Sequence, residues 1–183
     1  MTAIPSWRRI APQFWPLLLA LTLFPAAAGL LVAQAASPIR IGQQAPNFSR
    51  MDLSHRNVEL SVYRGKVVLL NFWATWCGPC LAEMPTFAQW QNQYGSDKFQ
   101  VLGISMDDAA PEVVAAISKL KVNYPVVMGD EHLGAAYGGI LGLPVTFLID
   151  PQGRIRGRFE GATDSVRVKR DIEHLLATGG RSK

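Results

Sequence analysis

Long runs of apolar residues without polar alternation mark the buried strands of this chain. Residues 67–74 read Val-Val-Leu-Leu-Asn-Phe-Trp-Ala, and residues 99–106 read Phe-Gln-Val-Leu-Gly-Ile-Ser-Met. A strand covered on both faces has this composition, whereas a half-exposed strand alternates between apolar and polar positions. Three further strands are predicted at 124–128, 145–150 and 154–160. The last two are predicted to pair as an antiparallel hairpin across a tight turn.

Helical patterns separate these strands. Helices are predicted at 81–94, 107–120, 131–137 and 164–177. In the last of them, Val168 and Ile172 are four positions apart, which is typical of a helix with one buried face. Asp107 and Asp108 are expected to open the second helix, with Pro111 in its first turn. The order of strands and helices predicts an α/β fold, with a central mixed sheet flanked by helices and right-handed crossovers between its parallel strands.

The N-terminal part of the chain differs from the rest in charge. Arg8 and Arg9 precede an uncharged segment, 10–39, whose centre is strongly apolar. A basic flank followed by such a segment predicts an export signal, and the segment is also long enough for a membrane anchor. An Ala-Gln-Ala sequence at 33–35 resembles a signal-peptidase site, so cleavage and retention both stay open. Either outcome places the remaining chain outside the cytoplasm.

The domain organisation follows from these patterns. The predicted segments are a signal peptide or membrane anchor at 1–36, a linker at 37–45, one α/β domain at 46–178 and a C-terminal tail at 179–183. At the start of the domain, short alternating pieces at 49–53 and 58–60 flank a polar turn. This pattern predicts a small N-terminal hairpin.

Composition excludes several classes of function. The chain has 183 residues and a net charge of +4, of which Arg8 and Arg9 supply two, so the domain carries too little positive charge for a nucleic-acid face. Two cysteines cannot form a four-cysteine zinc site or the disulfide framework of a small secreted protein. The three histidines are scattered, and no glycine-rich phosphate loop follows the first buried strand. We expect no metal and no cofactor.

Both cysteines lie where reactivity is expected. Cys77-Gly78-Pro79-Cys80 follows the first buried strand and precedes a helix. Two intervening residues allow the sulfurs to meet, and the unpaired N–H groups at a helix N-terminus stabilise a thiolate. Cys77 is therefore the candidate nucleophile, and Cys80, one turn deeper, is the candidate resolving thiol.

These residues resemble the active site of the thioredoxin superfamily. The match covers 72–80, extends to Pro85 in the following helix, and includes Leu143-Pro144 as the counterpart of the cis-proline loop. Within the superfamily, the chain is most similar to the exported, often membrane-tethered TlpA/ResA/DsbE group. The N-terminal segment, the leading hairpin and the strand at 145–150 contribute to that similarity.

The resemblance implies roles for individual residues. Cys77 and Cys80 would form the redox-active disulfide, and Pro144 would lie opposite it in the cis form. Trp76, Gly78, Pro79 and Leu143 would dock the substrate. Asn71 replaces the buried aspartate of cytoplasmic thioredoxin, and an asparagine side chain cannot accept the proton that a buried thiol loses. Glu83, one helical turn after Cys80, is expected to take part of that role.

The implied activity is thiol-disulfide exchange, with the chain as the reductant. The resembled group mainly reduces exported proteins, for example during cytochrome c maturation, and is recharged by a membrane electron donor of the DsbD/CcdA type. The implied partners are thus exported disulfide-containing clients, that donor, and the cytoplasmic membrane if the anchor is retained. A disulfide oxidase or isomerase remains an alternative.

Two other classes of function stay open. Residues 41–48 also resemble the entry segment of peroxiredoxin-like thiol peroxidases. Those enzymes place a threonine three residues before the reactive cysteine, whereas Thr75 precedes Cys77 by two. A redox-silent binding module is the other alternative.

Overall fold

The computed structural model describes residues 38–179. The predicted signal or anchor segment at 1–36 and residues 180–183 of the tail lie outside the described residues. Within the described range, no helix has the length and apolar character that a membrane crossing requires.

The elements alternate largely as the apolar pattern predicts. The strands are β1 Ser49–Met51, β2 Asn57–Glu59, β3 Val67–Trp73, β4 Phe99–Ser105, β5 Val126–Met128, β6 Val145–Ile149 and β7 Ile155–Glu160. The helices are α1 Gly78–Tyr94, α2 Ala110–Lys119, α3 Glu131–Ala136 and α4 Ser165–Gly179, and a 3-10 turn spans Leu60–Tyr63.

Five strands form the central sheet, in the order β5-β4-β3-β6-β7. The pairs β3–β4 and β4–β5 are parallel, whereas β3–β6 and β6–β7 are antiparallel. This mixed sheet with flanking helices is the thioredoxin-like fold that the resemblance implies, so the predicted fold class is confirmed. Strand β3 lies at the centre, and the chain leaves its carboxyl end to begin α1.

Both faces of the sheet are covered at its centre, which is why β3, β4 and β6 are buried along their whole length, whereas the edge strand β7 has charged and partly exposed positions. One core cluster joins Val67, Leu69 and Trp73 of β3 to residues of three helices: Met84 and Phe87 of α1, Val113 of α2, and Val168 and Ile172 of α4. A second cluster joins Val68, Leu70 and Phe72 to α3 and the N-terminal hairpin. Because side chains alternate along a strand, the sequence of β3 supplies both clusters at once.

The N-terminal segments add to the edges of this sheet. Strands β1 and β2 form the predicted antiparallel hairpin, and Leu53 N–H donates to the Val126 carbonyl at the edge strand β5 (3.0 Å). Residues 42–45, part of the segment expected to be a linker, hydrogen-bond to residues 153–155 at the start of β7. The described domain therefore includes chain upstream of residue 46.

The beginnings of two helices differ from the prediction. Helix α1 begins at Gly78 instead of residue 81, because Cys77 itself occupies the N-cap position. The expectation that Asp107 and Asp108 open α2 is wrong. The N-cap of α2 is Ala109, which has no capping side chain, and Pro111 in the first turn has no N–H that needs a partner.

Helix α4 offers a matched pair of valines for testing the core. Val168 is fully buried, whereas Val166 on the same helix is 79% exposed. Val168→Ala removes two buried methyl groups and leaves a cavity, so we expect a loss of about 2 kcal/mol in the free energy of unfolding. Val166→Ala serves as the control and should change the free energy of unfolding by less than about 0.5 kcal/mol. Equal effects in urea denaturation would contradict the described packing of α4.

Candidate active site

The turn between β3 and α1 places both cysteines at the start of a helix. Cys77 N–H donates to the Ala74 carbonyl (3.1 Å), and Cys77 is the N-cap residue of α1. Its sulfur accepts a hydrogen bond from Cys80 N–H at 3.3 Å. The sulfur therefore occupies the position that a serine or aspartate oxygen fills at an ordinary helix N-terminus.

Cys77 and Cys80 form a disulfide, with an S–S distance of 2.03 Å and Cα atoms 5.3 Å apart. Cys77 is 5% exposed and Cys80 is 1% exposed. The residues around them are more accessible: Trp76 is 71% exposed, and Gly78 and Pro79 are also exposed. Cys77 is thus the sulfur nearer to solvent, at the edge of an exposed surface.

The first turn of α1 suits a negative charge at its N-cap. It contains no acidic residue that would repel an anion, and Pro79 lies in this turn, where its missing N–H leaves no donor unsatisfied. The remaining N–H groups and the helix dipole of this 17-residue helix point toward Cys77. This arrangement can stabilise a thiolate at Cys77.

The loop before β6 lies beside the end of β3. Val145 pairs with Phe72, so Pro144 comes next to Trp73, the last residue of β3. The Leu143–Pro144 peptide bond is cis, Pro144 is buried, and Leu143 is partly exposed. The Pro144 carbonyl accepts a hydrogen bond from Gly161 N–H (2.9 Å), which ties this loop to the end of β7.

Asn71 is buried in the middle of β3 and makes a hydrogen bond across the sheet. Its side-chain amide donates to Thr146 Oγ1 at 2.9 Å. By strand alternation Asn71 faces the same side as Trp73, the side on which α1 packs. Asn71 therefore links β3 to β6, the strand that begins directly after Pro144.

Glu83 extends from α1 into a groove of about 260 Å³ between α1 and the loop before α4. One carboxyl oxygen, Oε1, accepts a hydrogen bond from Thr163 N–H. The other, Oε2, is buried and has no hydrogen-bond partner among the described residues. Burial raises the pKa of Glu83 above its usual value, and the hydrogen bonds from Thr163 oppose this only in part. Glu83 is thus a half-buried acid one helical turn from Cys80.

Asp107 contributes to the site, although the sequence pattern predicted a different role for it, the opening of α2. Its carboxylate accepts hydrogen bonds from Thr75 N–H (3.0 Å), Thr75 Oγ1 (2.5 Å) and Ser105 Oγ (2.7 Å). These bonds fix the turn that precedes Cys77. An aspartate two residues before Ala109 looks like a helix cap in the sequence, and no local signal indicates a partner 32 positions away.

The comparisons with known proteins agree with this geometry. Residues 41–158 match the family described as AhpC/TSA. The chain is 36% identical over 142 residues to the thiol-disulfide oxidoreductase ResA of Bacillus subtilis, a match that covers 77% of this chain and 78% of that protein. It is 34% identical over 141 residues to the thioredoxin-like protein YneN of the same organism, covering 75% of this chain and 79% of YneN.

A solved structure leads to the same assignment. The crystal structure of a putative thiol:disulfide interchange protein DsbE from Chlorobium tepidum superposes with a TM-score of 0.71 and 29% sequence identity. The superposition covers 75% of this chain and 99% of that one. With the Cys77–Cys80 disulfide at the start of α1 and matches of this extent, the chain belongs to the AhpC/TSA family and is a thioredoxin-like thiol-disulfide oxidoreductase.

Proposed function

We propose that this protein reduces disulfides of exported proteins by dithiol exchange at Cys77 and Cys80. The observation that carries the proposal is the position of Cys77 as the N-cap of α1, with its partner Cys80 buried behind it. The helix N-terminus stabilises an adjacent negative charge by about 0.3–2 kcal/mol. One pKa unit corresponds to about 1.4 kcal/mol. Even the lower half of that range therefore lowers the pKa of the reduced Cys77 thiol measurably and increases its thiolate fraction.

In the proposed reaction, the Cys77 thiolate attacks one sulfur of a client disulfide. A Cys77–client disulfide forms, and the other client sulfur leaves as a thiolate and takes up a proton. Cys80 then loses its proton and attacks the Cys77 sulfur, which releases the second client sulfur. The client gains two electrons and two protons, and the Cys77–Cys80 disulfide forms again.

Docking of the client is assigned to the surface around the sulfurs. Trp76, Gly78 and Pro79 are exposed beside Cys77, and Leu143 is partly exposed on the loop before β6. An extended client segment could pair with the backbone at Leu143 in the manner of an added strand. Pro144, the neighbour of Trp73, would position that backbone, and Trp76 would supply an apolar contact.

The proposed direction is reduction, and the proposed compartment lies outside the cytoplasm. The Gly78-Pro79 pair matches thioredoxin, a reductant with a potential of about −270 mV. The segment 1–36, as a signal or a retained anchor, would place the domain in the periplasm or on the outer face of the cytoplasmic membrane. A reductant there needs its own supply of electrons, because the bacterial periplasm is kept oxidising. We therefore include a membrane donor of the DsbD/CcdA type among the partners, and apocytochrome c among the clients.

Glu83 is proposed to handle the proton of Cys80. Asn71 occupies the place of the aspartate that serves this purpose in cytoplasmic thioredoxin, and an amide cannot take up the proton. Glu83 lies one turn from Cys80 and has a raised pKa, which brings its proton affinity closer to that of a thiol.

Capture of the mixed disulfide tests the proposed reaction. Cys80→Ser removes the resolving thiol, so a client attacked by Cys77 stays covalently attached. We expect dithiothreitol-sensitive adducts with exported proteins in cells that express this variant, identified by mass spectrometry. The double variant Cys77→Ser/Cys80→Ser is the control and should form none. Absence of adducts from Cys80→Ser would contradict the exchange mechanism.

The redox potential of the wild-type protein separates the two directions. Equilibration with glutathione buffers should give a midpoint nearer to about −270 mV than to about −120 mV, the values of a reductant and of a strong oxidant in this fold. A midpoint at the oxidising end would replace the reductase proposal by the oxidase alternative.

Glu83→Gln tests the role of the buried carboxyl. Ionised Glu83 is a negative charge one turn from Cys80 and disfavours a second negative charge on that sulfur. Its removal should therefore lower the pKa of Cys80 in the reduced protein by about one unit. The measurement is the rate of alkylation of each cysteine against pH, followed by mass spectrometry.

Glu112→Gln is the matched control, because Glu112 is exposed on α2 and its loss changes the net charge equally. This control should leave the pKa of both cysteines unchanged. If Glu83→Gln also leaves the pKa of both cysteines unchanged, Glu83 has no part in the thiol chemistry.

A further inference from the structure

The chain between β3 and α1 forms a tight turn whose first central residue needs an outside partner. Cys77 N–H donates to the Ala74 carbonyl (3.1 Å), three positions earlier, which is the hydrogen bond of a β-turn. Thr75 and Trp76 are the two central residues of this turn. The turn's own hydrogen bond uses neither the N–H nor the hydroxyl of Thr75. Thr75 is partly buried, so both donors require an acceptor from elsewhere in the chain.

Asp107 supplies that acceptor from the segment that follows β4. Its carboxylate accepts a hydrogen bond from Thr75 N–H at 3.0 Å and another from the Thr75 hydroxyl at 2.5 Å. Hydrogen bonds to an ionised group are roughly twice as strong as those between neutral groups. One carboxylate therefore holds Thr75 at its backbone and at its side chain.

The sheet in turn fixes the position of Asp107. Trp73 and Ser105 are partners in the parallel pair β3–β4, and Met106 N–H donates to the Trp73 carbonyl at 2.8 Å. Ser105 is fully buried, and its hydroxyl donates to Asp107 Oδ2 (2.7 Å) and accepts from Asp107 N–H (3.2 Å). Because the carboxyl ends of parallel neighbours lie side by side, β4 delivers Asp107 to the turn that follows β3.

We propose that Asp107 and Thr75 are positioning residues for the nucleophile Cys77. The carboxylate holds the β-turn, and the turn holds the Cys77 sulfur at the N-cap of α1, where it accepts the Cys80 N–H (3.3 Å). The bonds of Asp107 involve neither cysteine, so they do not depend on the disulfide. The start of α1 is then arranged around the thiolate before a client arrives. This inference rests on the thiol-disulfide exchange of the proposed function and adds the residues that hold its nucleophile in place.

A purely structural role of this network would have a different consequence. If the carboxylate only stabilised the ends of β3 and β4, losing one of its bonds would lower the free energy of unfolding and leave the Cys77 thiol as acidic as before. If it positions Cys77, the loss lets the sulfur move away from the N-cap. The thiolate then loses part of the stabilisation that the helix N–H groups and the dipole provide, and the pKa of Cys77 rises.

The charges around Cys77 must stay constant for this comparison. Replacing Asp107 would remove one of them and would by itself change the pKa of Cys77. Thr75→Val changes no charge and keeps the branched shape of the side chain, so it removes only the hydroxyl donor. The loop 138–144 has no charged residue. The charged side chains on the other surrounding segments are Glu83 on α1, Asp107 and Asp108 after β4, Glu112 at the start of α2, and the Arg158–Glu160 ion pair at the end of β7.

The test is the pH dependence of Cys77 alkylation in the reduced protein, with the modified peptide identified by mass spectrometry. Thr75→Val should raise the pH of half-maximal reactivity by about 0.5 unit, which is part of what a helix N-terminus contributes. Thr75→Ser keeps the hydroxyl and should restore the wild-type value. Thr178→Val is the matched control, because it removes a threonine hydroxyl that donates to the His174 carbonyl within α4 (2.9 Å). It should leave the pKa of Cys77 unchanged.

Two outcomes of this experiment would overturn the proposal. One is a half-maximal pH in folded Thr75→Val equal to that of the wild type, since the network would then contribute only to stability. The other is a shift in Thr75→Ser as large as that in Thr75→Val, since the hydroxyl would then not be the group that matters.

A second measurement uses only the wild-type protein and does not depend on the folding of a variant. Hydrogen exchange of the Thr75 amide, followed by NMR, should be equally slow in the oxidised and the reduced protein, because its acceptor is independent of the disulfide. Fast exchange in the reduced protein alone would contradict the proposal. If Thr75→Val shifts the pKa of Cys77 as expected but Cys80→Ser captures no client, the positioning role stands and the proposed reaction with exported proteins fails.

Discussion

The N-terminus of α1 needs an acceptor for its unpaired backbone N–H groups, and in this protein the acceptor is sulfur. Cys77 fills the N-cap position and receives the N–H of Cys80, its own redox partner. A helix end that favours negative charge also favours the form of cysteine that attacks disulfides. The rest of the fold holds this helix end in place: β3 delivers the chain to it, and β6 brings Pro144 beside the end of β3.

A second constraint concerns the proton of the buried thiol. Cys80 is almost completely buried, so it cannot simply release a proton to water when it attacks. Asn71 gives its amide to Thr146 and strengthens the sheet instead of supplying a base. In our account, proton transfer instead involves Glu83, one helical turn from Cys80, whose carboxyl accepts a hydrogen bond from Thr163 N–H.

The sequence predicted the parts of this structure that depend on local pattern. The apolar runs without polar alternation located β3 and β4, because a strand buried on both faces has no exposed face that needs polar side chains. The spacing of the cysteines and the strand before them located the redox centre. The pattern failed where a side chain bonds to a distant part of the chain. Asp107 looked like a helix cap and instead accepts hydrogen bonds from Thr75, 32 positions earlier in the chain.

The most direct test of this account is the pH dependence of Cys77 alkylation in the reduced wild-type protein, with the modified peptide identified by mass spectrometry. The account predicts half-maximal reactivity clearly below the value of about 8.5 for a free cysteine. It also predicts that mild oxidation links Cys77 to Cys80 within one chain. Half-maximal reactivity at the free-cysteine value, with no such link, would contradict the claim that the start of α1 activates this sulfur.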